Sequence, residues 1–193
     1  DLTEKETGRV YRSLGWYEDV GDVGDEYIFQ AALGESLTTR GRPADVACLE
    51  DGPCRAVFQI THRLEIPRQA DGALAEAMES MEPRLQRRIG RSRETTVLEL
   101  RATLTLEAGN PVVRLRTEFE NTARDHRLRA VFPTGRKTDR HLADSVFDVV
   151  DRPDLPGPRW TNPSRCQRMQ MLAAAEDEGG GLAVINRGVY EYE

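Results

Sequence analysis

The clearest pattern in the chain is the strict alternation between residues 56 and 66. Phe58, Ile60, His62, Leu64 and Ile66 fall on one face, with Gln59, Thr61, Arg63 and Glu65 on the other. A period of two marks a β-strand with one buried face, and Pro67 ends it. The alternation returns at Leu98, Leu100, Ala102, Leu104 and Leu106, set against Glu99, Arg101, Thr103 and Thr105. Ala108-Gly109-Asn110-Pro111 then turns the chain, and Val113, Leu115, Thr117 and Phe119 alternate on the return, which predicts an antiparallel hairpin. Shorter strands are predicted at Val10-Tyr11, 27–29, 128–132, 146–150, 169–172 and 182–186, the last two separated by Gly179-Gly180-Gly181. Strands of this kind with no βαβ alternation predict an all-β fold. One charged face per strand points to a large antiparallel β-sandwich.

Residues 68–92 break the pattern. They are rich in Ala, Met, Glu and Arg, with Leu74, Met78 and Met81 at helical spacing, so a single short helix or a mobile insertion is expected there. Pro83 confines that helix to about three turns. Arg84, Arg87, Arg88, Arg91 and Arg93 make the stretch locally basic, and a solvated face is its expected role.

The stretch from Glu18 to Phe29 concentrates acids and glycines: Glu18, Asp19, Gly21, Asp22, Gly24, Asp25 and Glu26, followed at once by Tyr27-Ile28-Phe29. Aspartates bond their own backbone in turns and glycines permit close approach. An acidic, tightly turned loop feeding a strand is therefore expected, with Tyr27 at its mouth. A tyrosine offers an apolar face and a polar tip, suited to a sugar ring. The plainer alternative is a wet acidic turn followed by a core tyrosine.

Composition narrows the partners. The chain has 193 residues, a charged fraction of 31% and a net charge of −6. Phosphate binding needs a basic surplus, so a nucleic-acid partner is not expected. No apolar run approaches the roughly 20 residues of a membrane span, and Asp1-Leu2-Thr3-Glu4-Lys5 has no basic-then-apolar leader pattern. The chain reads as one β-sandwich domain, or part of one, excised from a longer protein. Three cysteines, Cys48, Cys54 and Cys166, make no even disulfide framework. Reduced thiols in a cytoplasmic protein are the preferred reading, with a Cys48–Cys54 bridge across the Gly52-Pro53 turn as the alternative.

Other candidates carry less. Asp19, Asp22 and Asp25 repeat every third residue without the ligand ladder of a calcium loop. His62 lies on an apolar strand face, as a core histidine does; His126 and His141 flank loops and lack a third metal ligand. Ser145 lacks the elbow of a serine hydrolase. Trp160, in a stretch with Pro153, Pro156, Pro158 and Pro163, reads as a lid over one end of the sandwich rather than a sugar platform.

Several fragments then fit together in order: Tyr11-Arg12, Glu18 to Tyr27, Asp125-His126-Arg127-Leu128-Arg129, Phe132-Pro133-Thr134-Gly135, Ala143 to Val150, and Leu182 to Gly188. In this order and spacing they resemble the C-terminal β-rich region of glycoside hydrolase family 38, the class II α-mannosidases, and within it bacterial members of the mannosylglycerate-hydrolase type. The resemblance implies a galactose-mutarotase-like supersandwich that packs on an N-terminal catalytic domain of the same protein and helps close a pocket for an α-mannoside. It implies a retaining mechanism with an aspartate nucleophile and a zinc ion, both in that other domain. No position here matches the nucleophile or the zinc ligands, so this stretch is expected to be inactive alone and to hold no metal. Tyr27 matches a family tyrosine that reaches the sugar, and Asp22 and Asp25 are expected to accept hydrogen bonds from sugar hydroxyls. The alternatives are an independent carbohydrate-binding module and a purely structural or oligomerisation domain.

Overall fold

In the computed structural model of the protein, residues 1–155, 157 and 165–193 are described; Trp160 lies outside them. The first strands are β1 (Leu2–Thr3), β2 (Val10–Tyr11), β3 (Trp16–Gly21), β4 (Leu37–Thr38), β5 (Asp45–Asp51) and β6 (Arg55–Pro67). A single α-helix, α1 (Ala73–Glu79), and a 3₁₀ turn, Arg84–Gln86, follow. Next come β7 (Thr95–Glu107), β8 (Arg114–Glu118), β9 (His126–Val131), β10 (Arg140–Asp144) and β11 (Val149–Pro153), then β12 (Gln167–Arg168), β13 (Leu172–Asp177), β14 (Gly180–Ile185) and β15 (Glu191–Tyr192). Every strand pairing is antiparallel. The all-β expectation, with one short helix, is met.

Two compact units divide the chain: Gly15–Val131, and Asp1–Leu14 with Phe132–Glu193. The first holds two sheets, ordered β4-β3-β9 and β5-β6-β7-β8. The long pair β6 and β7 runs in unbroken register from Arg55↔Glu107 to Pro67↔Thr95, so their alternating apolar residues share one face. Leu64, Ile66, Leu98 and Leu100 are fully buried there, against Tyr17 of β3, Ala102 and Ala123, with Leu37, Ile60, Leu115 and Leu128 packed around them. That cluster draws on both sheets, which therefore face one another as a sandwich with its core between them. His62 sits at the rim of this core, its ring edge-on to Tyr17 at 6.3 Å, and burial lowers its pKa. His62 is thus a partly buried histidine on the apolar strand face, as expected, but its buried Nδ1 has no hydrogen-bond partner.

A second buried cluster joins Val23, Ala70, Leu74, Ala77 and Ile89. Four of these five come from the segment 68–92, the stretch expected as a mobile insertion. Its helix buries Leu74 and Ala77, whereas Met78 and Met81 are exposed, so the buried stripe is not the one the methionines suggested. The spacing was right for a helix, but Ser80 already caps it, and Met81 falls beyond its end in a left-handed conformation.

In the other unit the main sheet is ordered β11-β10-β13-β14, with β12-β15 and β1-β2 as two-stranded ribbons. Ala143 is fully buried, and Tyr11 and Met169 nearly so. The Tyr11 hydroxyl donates to the Gly181 carbonyl at 2.9 Å, and the Arg136 guanidinium lies 5.6 Å from the Tyr11 ring centroid. The Asp144 carboxylate accepts from the backbone N–H groups of Gln170, Met171 and Leu172 at 2.8–3.0 Å. It pins the entry to β13 onto the end of β10. The strand predicted at 146–150 is displaced: 145–148 is a turn, with Ser145 N–H bonded to the Asp148 carbonyl, and β11 starts at Val149. Val146 and Phe147 are exposed at the tip of that turn.

Among the described residues no helix is long and apolar enough to cross a membrane.

Candidate functional site

The candidate site is a hairpin-like loop, residues 22–30, that leaves the end of β3. Strand β3 runs between β4 and β9, with Gly21 opposite His126 and Asp19 opposite Leu128. Its burial alternates so that Tyr17, Asp19 and Gly21 point inward. The acidic stretch is thus divided. Glu18 and Asp19 belong to a strand, and Tyr27-Ile28-Phe29, expected as a strand, is part of the loop.

The loop is built by its aspartates. Asp22 Oδ1 accepts from the N–H of Gly24 at 2.9 Å and of Gln30 at 3.1 Å. Asp25 Oδ1 accepts from the N–H of Tyr27 and of Ile28, each at 2.9 Å. Backbone bonds from Val23 N–H to the Gln30 carbonyl and from Asp25 N–H to the Ile28 carbonyl close the two limbs. These local side-chain bonds compete with strand formation and win, which is why the aromatic and β-branched run 27–29 is not a strand. The Tyr27 and Ile28 N–H groups hold the Asp25 carboxyl below its ordinary pKa, because they favour its charged form. Gly24 is required here: a Cβ on it would come 2.0 Å from the Ile28 carbonyl oxygen. At the tip, Tyr27 is 82% exposed. The loop therefore presents a phenol ring to its surroundings on a turn fixed by four hydrogen bonds to two carboxylates.

Beneath the loop lies a buried charged network. Asp19 is fully buried; Arg91 Nη1 stands 2.5 Å from its Oδ1, and His126 Nδ1 2.5 Å from its Oδ2. The Arg91 contact is an ion pair without hydrogen-bond alignment, since both atoms lack a well-directed partner. On the far side of the ring, His126 Nε2 lies 3.0 Å from Asn121 Oδ1, which also accepts from Ala123 N–H at 3.1 Å. The Ala123 N–H makes Asn121 Oδ1 the acceptor on that side of the ring, so Nε2 donates to it. Arg91 passes so close under Gly21 that a Cβ there would meet its Cδ at 2.7 Å. The Asp19, Arg91 and His126 side chains are 0%, 8% and 3% exposed, which marks their contacts as structural. They tie β3 to the start of β9 and to the end of the 68–92 segment. Sequence reasoning grouped Asp19 with the loop acids; its spacing of two from Tyr17 and Gly21 was the signal that it points inward.

A second polar network occupies the other unit. His141 lies between Asp154 Oδ1 at 2.7 Å and the Tyr192 hydroxyl at 2.7 Å, and Arg152 Nη1 donates to that hydroxyl at 3.1 Å. Burial raises the Tyr192 pKa, so the phenol stays protonated and joins β10 to β15 as a polar tie. Among the described residues no three His, Cys, Asp or Glu side chains come together to hold a metal. The zinc ion that the family resemblance implies is expected in another domain and not among these residues. Cys48 and Cys54 are free thiols, so the bridge between them is not formed.

The family model of the glycosyl hydrolases family 38 C-terminal domain matches residues 1–193, and the chain belongs to that family. A protein of Halalkalibacterium halodurans named "Putative mannosylglycerate hydrolase" is 40% identical over all 193 residues, which are 22% of its length. The crystal structure of an α-mannosidase from Enterococcus faecalis V583 matches 99% of the chain at 33% identity with a TM-score of 0.95. A second Enterococcus faecalis structure, titled as a protein in the glycosyl hydrolase family 38, matches 99% at 32% identity and a TM-score of 0.91. In both the chain spans 22% of the solved protein. It therefore corresponds to about a fifth of these relatives, and it shares the fold of the matched part of the two solved structures.

Proposed function

We propose that this chain is the non-catalytic C-terminal β-domain of a retaining α-mannosidase, packing on a zinc-dependent catalytic domain of the same protein and helping to form its sugar pocket. The family membership and the named activities of the relatives support the α-mannoside as substrate class. The observation that carries the pocket role is Tyr27: a large aromatic left 82% exposed on a turn that two aspartates hold in place. Ordering a turn to display a tyrosine costs conformational entropy, and a hydrogen bond between its hydroxyl and the sugar is the gain that offsets it. Asp22 and Asp25 use Oδ1 for the turn, and Oδ2 of each is the oxygen left to accept from a sugar hydroxyl.

The test is activity on an aryl α-mannoside by this chain and by the full-length protein, with and without a zinc chelator. An inactive chain beside a chelator-sensitive parent supports the reading; turnover by the chain alone overturns it. In the full-length enzyme, Tyr27→Phe should lower kcat/KM by about tenfold, the value of one lost hydrogen bond of roughly 1.4 kcal/mol. Unchanged kinetics would remove Tyr27 from the pocket.

A further inference from the structure

The aspartates set the shape of the Tyr27 loop, but they do not seat it. Arg87, one residue past the 3₁₀ turn, does. Its Nη1 donates to the Val23 carbonyl at 2.8 Å and to the Gly24 carbonyl at 2.6 Å, while its Nε donates to the Glu82 carbonyl at 3.2 Å. One guanidinium thereby joins the outgoing limb of the loop to the segment that carries it. The backbone delivering Arg87 is itself held: Ile89, two residues on, is buried beside Val23, and its carbonyl accepts from Leu33 N–H at 2.8 Å. On the return limb, the Arg127 guanidinium stacks on Phe29, 3.6 Å from the ring centroid. Tyr27 lies between these two anchored points.

We infer that Arg87 is a positioning residue, and that the 68–92 segment is the platform that sets where Tyr27 meets the substrate. The inference rests on the reading that Tyr27 contacts the sugar. A rigid planar guanidinium holds the loop carbonyls through Nη1 and the Glu82 carbonyl through Nε at once, which the point charge of a lysine does less well. A displacement of about 1 Å in a substrate contact costs up to about a hundredfold in rate. Arg87 touches no reacting atom in this account; it acts only through the loop.

The experiment is a double-mutant cycle in the full-length enzyme, read as kcat and KM on an aryl α-mannoside. Arg87→Ala, Tyr27→Phe and the double variant are compared, with melting temperatures measured alongside. If Arg87 acts through Tyr27, Arg87→Ala lowers kcat/KM by roughly tenfold in the wild-type background and by less than about twofold once Tyr27 is Phe. Equal losses in both backgrounds would mean a general structural role and overturn the inference. Wild-type rates for Arg87→Ala with an impaired Tyr27→Phe would overturn it while leaving the Tyr27 reading standing. A silent Tyr27→Phe would overturn both. Should Arg87→Ala fail to fold, Arg87→Lys replaces it in the cycle; there a partial loss confined to the Tyr27 background supports the inference, and equal losses in both backgrounds sink it.

Discussion

Arg91 Nη1 stands 2.5 Å from Asp19 Oδ1, and the two side chains are 8% and 0% exposed. A carboxylate on the inner face of a strand is tolerable only because a guanidinium and an imidazole meet its two oxygens. Removing it strands the cation that remains.

Asp19→Ala should therefore destabilise the protein by about 3–5 kcal/mol, the usual cost of leaving one member of a buried ion pair alone. Urea denaturation reads this as a lower midpoint. A midpoint unchanged from wild type would mean that Arg91 finds water or another partner, and that the network is not what holds β3 to β9.

Gly24→Ala should distort the Tyr27 loop, since the new methyl would sit 2.0 Å from the Ile28 carbonyl oxygen. Gly72→Ala, at a site with nothing within 4 Å and an ordinary helical φ of −56°, is the control. The expected cost is roughly 1–3 kcal/mol at Gly24 and near zero at Gly72. Equal melting temperatures for the two variants would contradict the observed loop geometry.

Asp25→Ala removes the acceptor for the Tyr27 and Ile28 N–H groups. Amide exchange at both positions should quicken while exchange in β6 and β7 stays slow. The folded-state pKa of Asp25 is depressed, so its contribution is present above the unfolded value and is lost as pH falls through the folded one. The loop should loosen in acid below about pH 3.8, the ordinary carboxyl value of an aspartate. Protection of these amides that persists in Asp25→Ala would show that the turn does not depend on the carboxylate.

His62 behaves in the same sense at a higher pH. Burial lowers its folded pKa from the ordinary 6.5, so the unfolded chain takes up the proton first as pH falls. Stability should decline from about pH 6.5 down to the folded pKa, and His62→Gln should flatten that slope. An NMR titration of His62 with a midpoint at or above 6.5 would refute the burial argument.

The long strands were legible because β6 and β7 keep a period of two over their whole length, and a register slip of one residue would turn Leu64, Ile66, Leu98 and Leu100 outward. The helix near residue 74 was legible from its spacing and from Pro83. Strand β5 was not, since its residues are almost all exposed and carry no apolar period; pairing with β6 alone makes it a strand. Tyr27-Ile28-Phe29 misled for the converse reason, as strand-forming residues yielded to the bonds that Asp22 and Asp25 make with the local backbone.

Alternation, punctuation by Gly and Pro, and the order of its fragments were enough to define an all-β chain of this family, because those signals are local and each strand repeats them. The roles of single charged residues were settled only by folding. Asp19, Arg87 and Arg91 look like solvated charges along the chain, yet Asp19 and Arg91 meet across 72 residues, and Arg87 reaches Val23 and Gly24 across more than 60. Which acid pairs inside, which shapes a turn, and which arginine seats the loop depend on neighbours distant in sequence, and no local pattern encodes those distances.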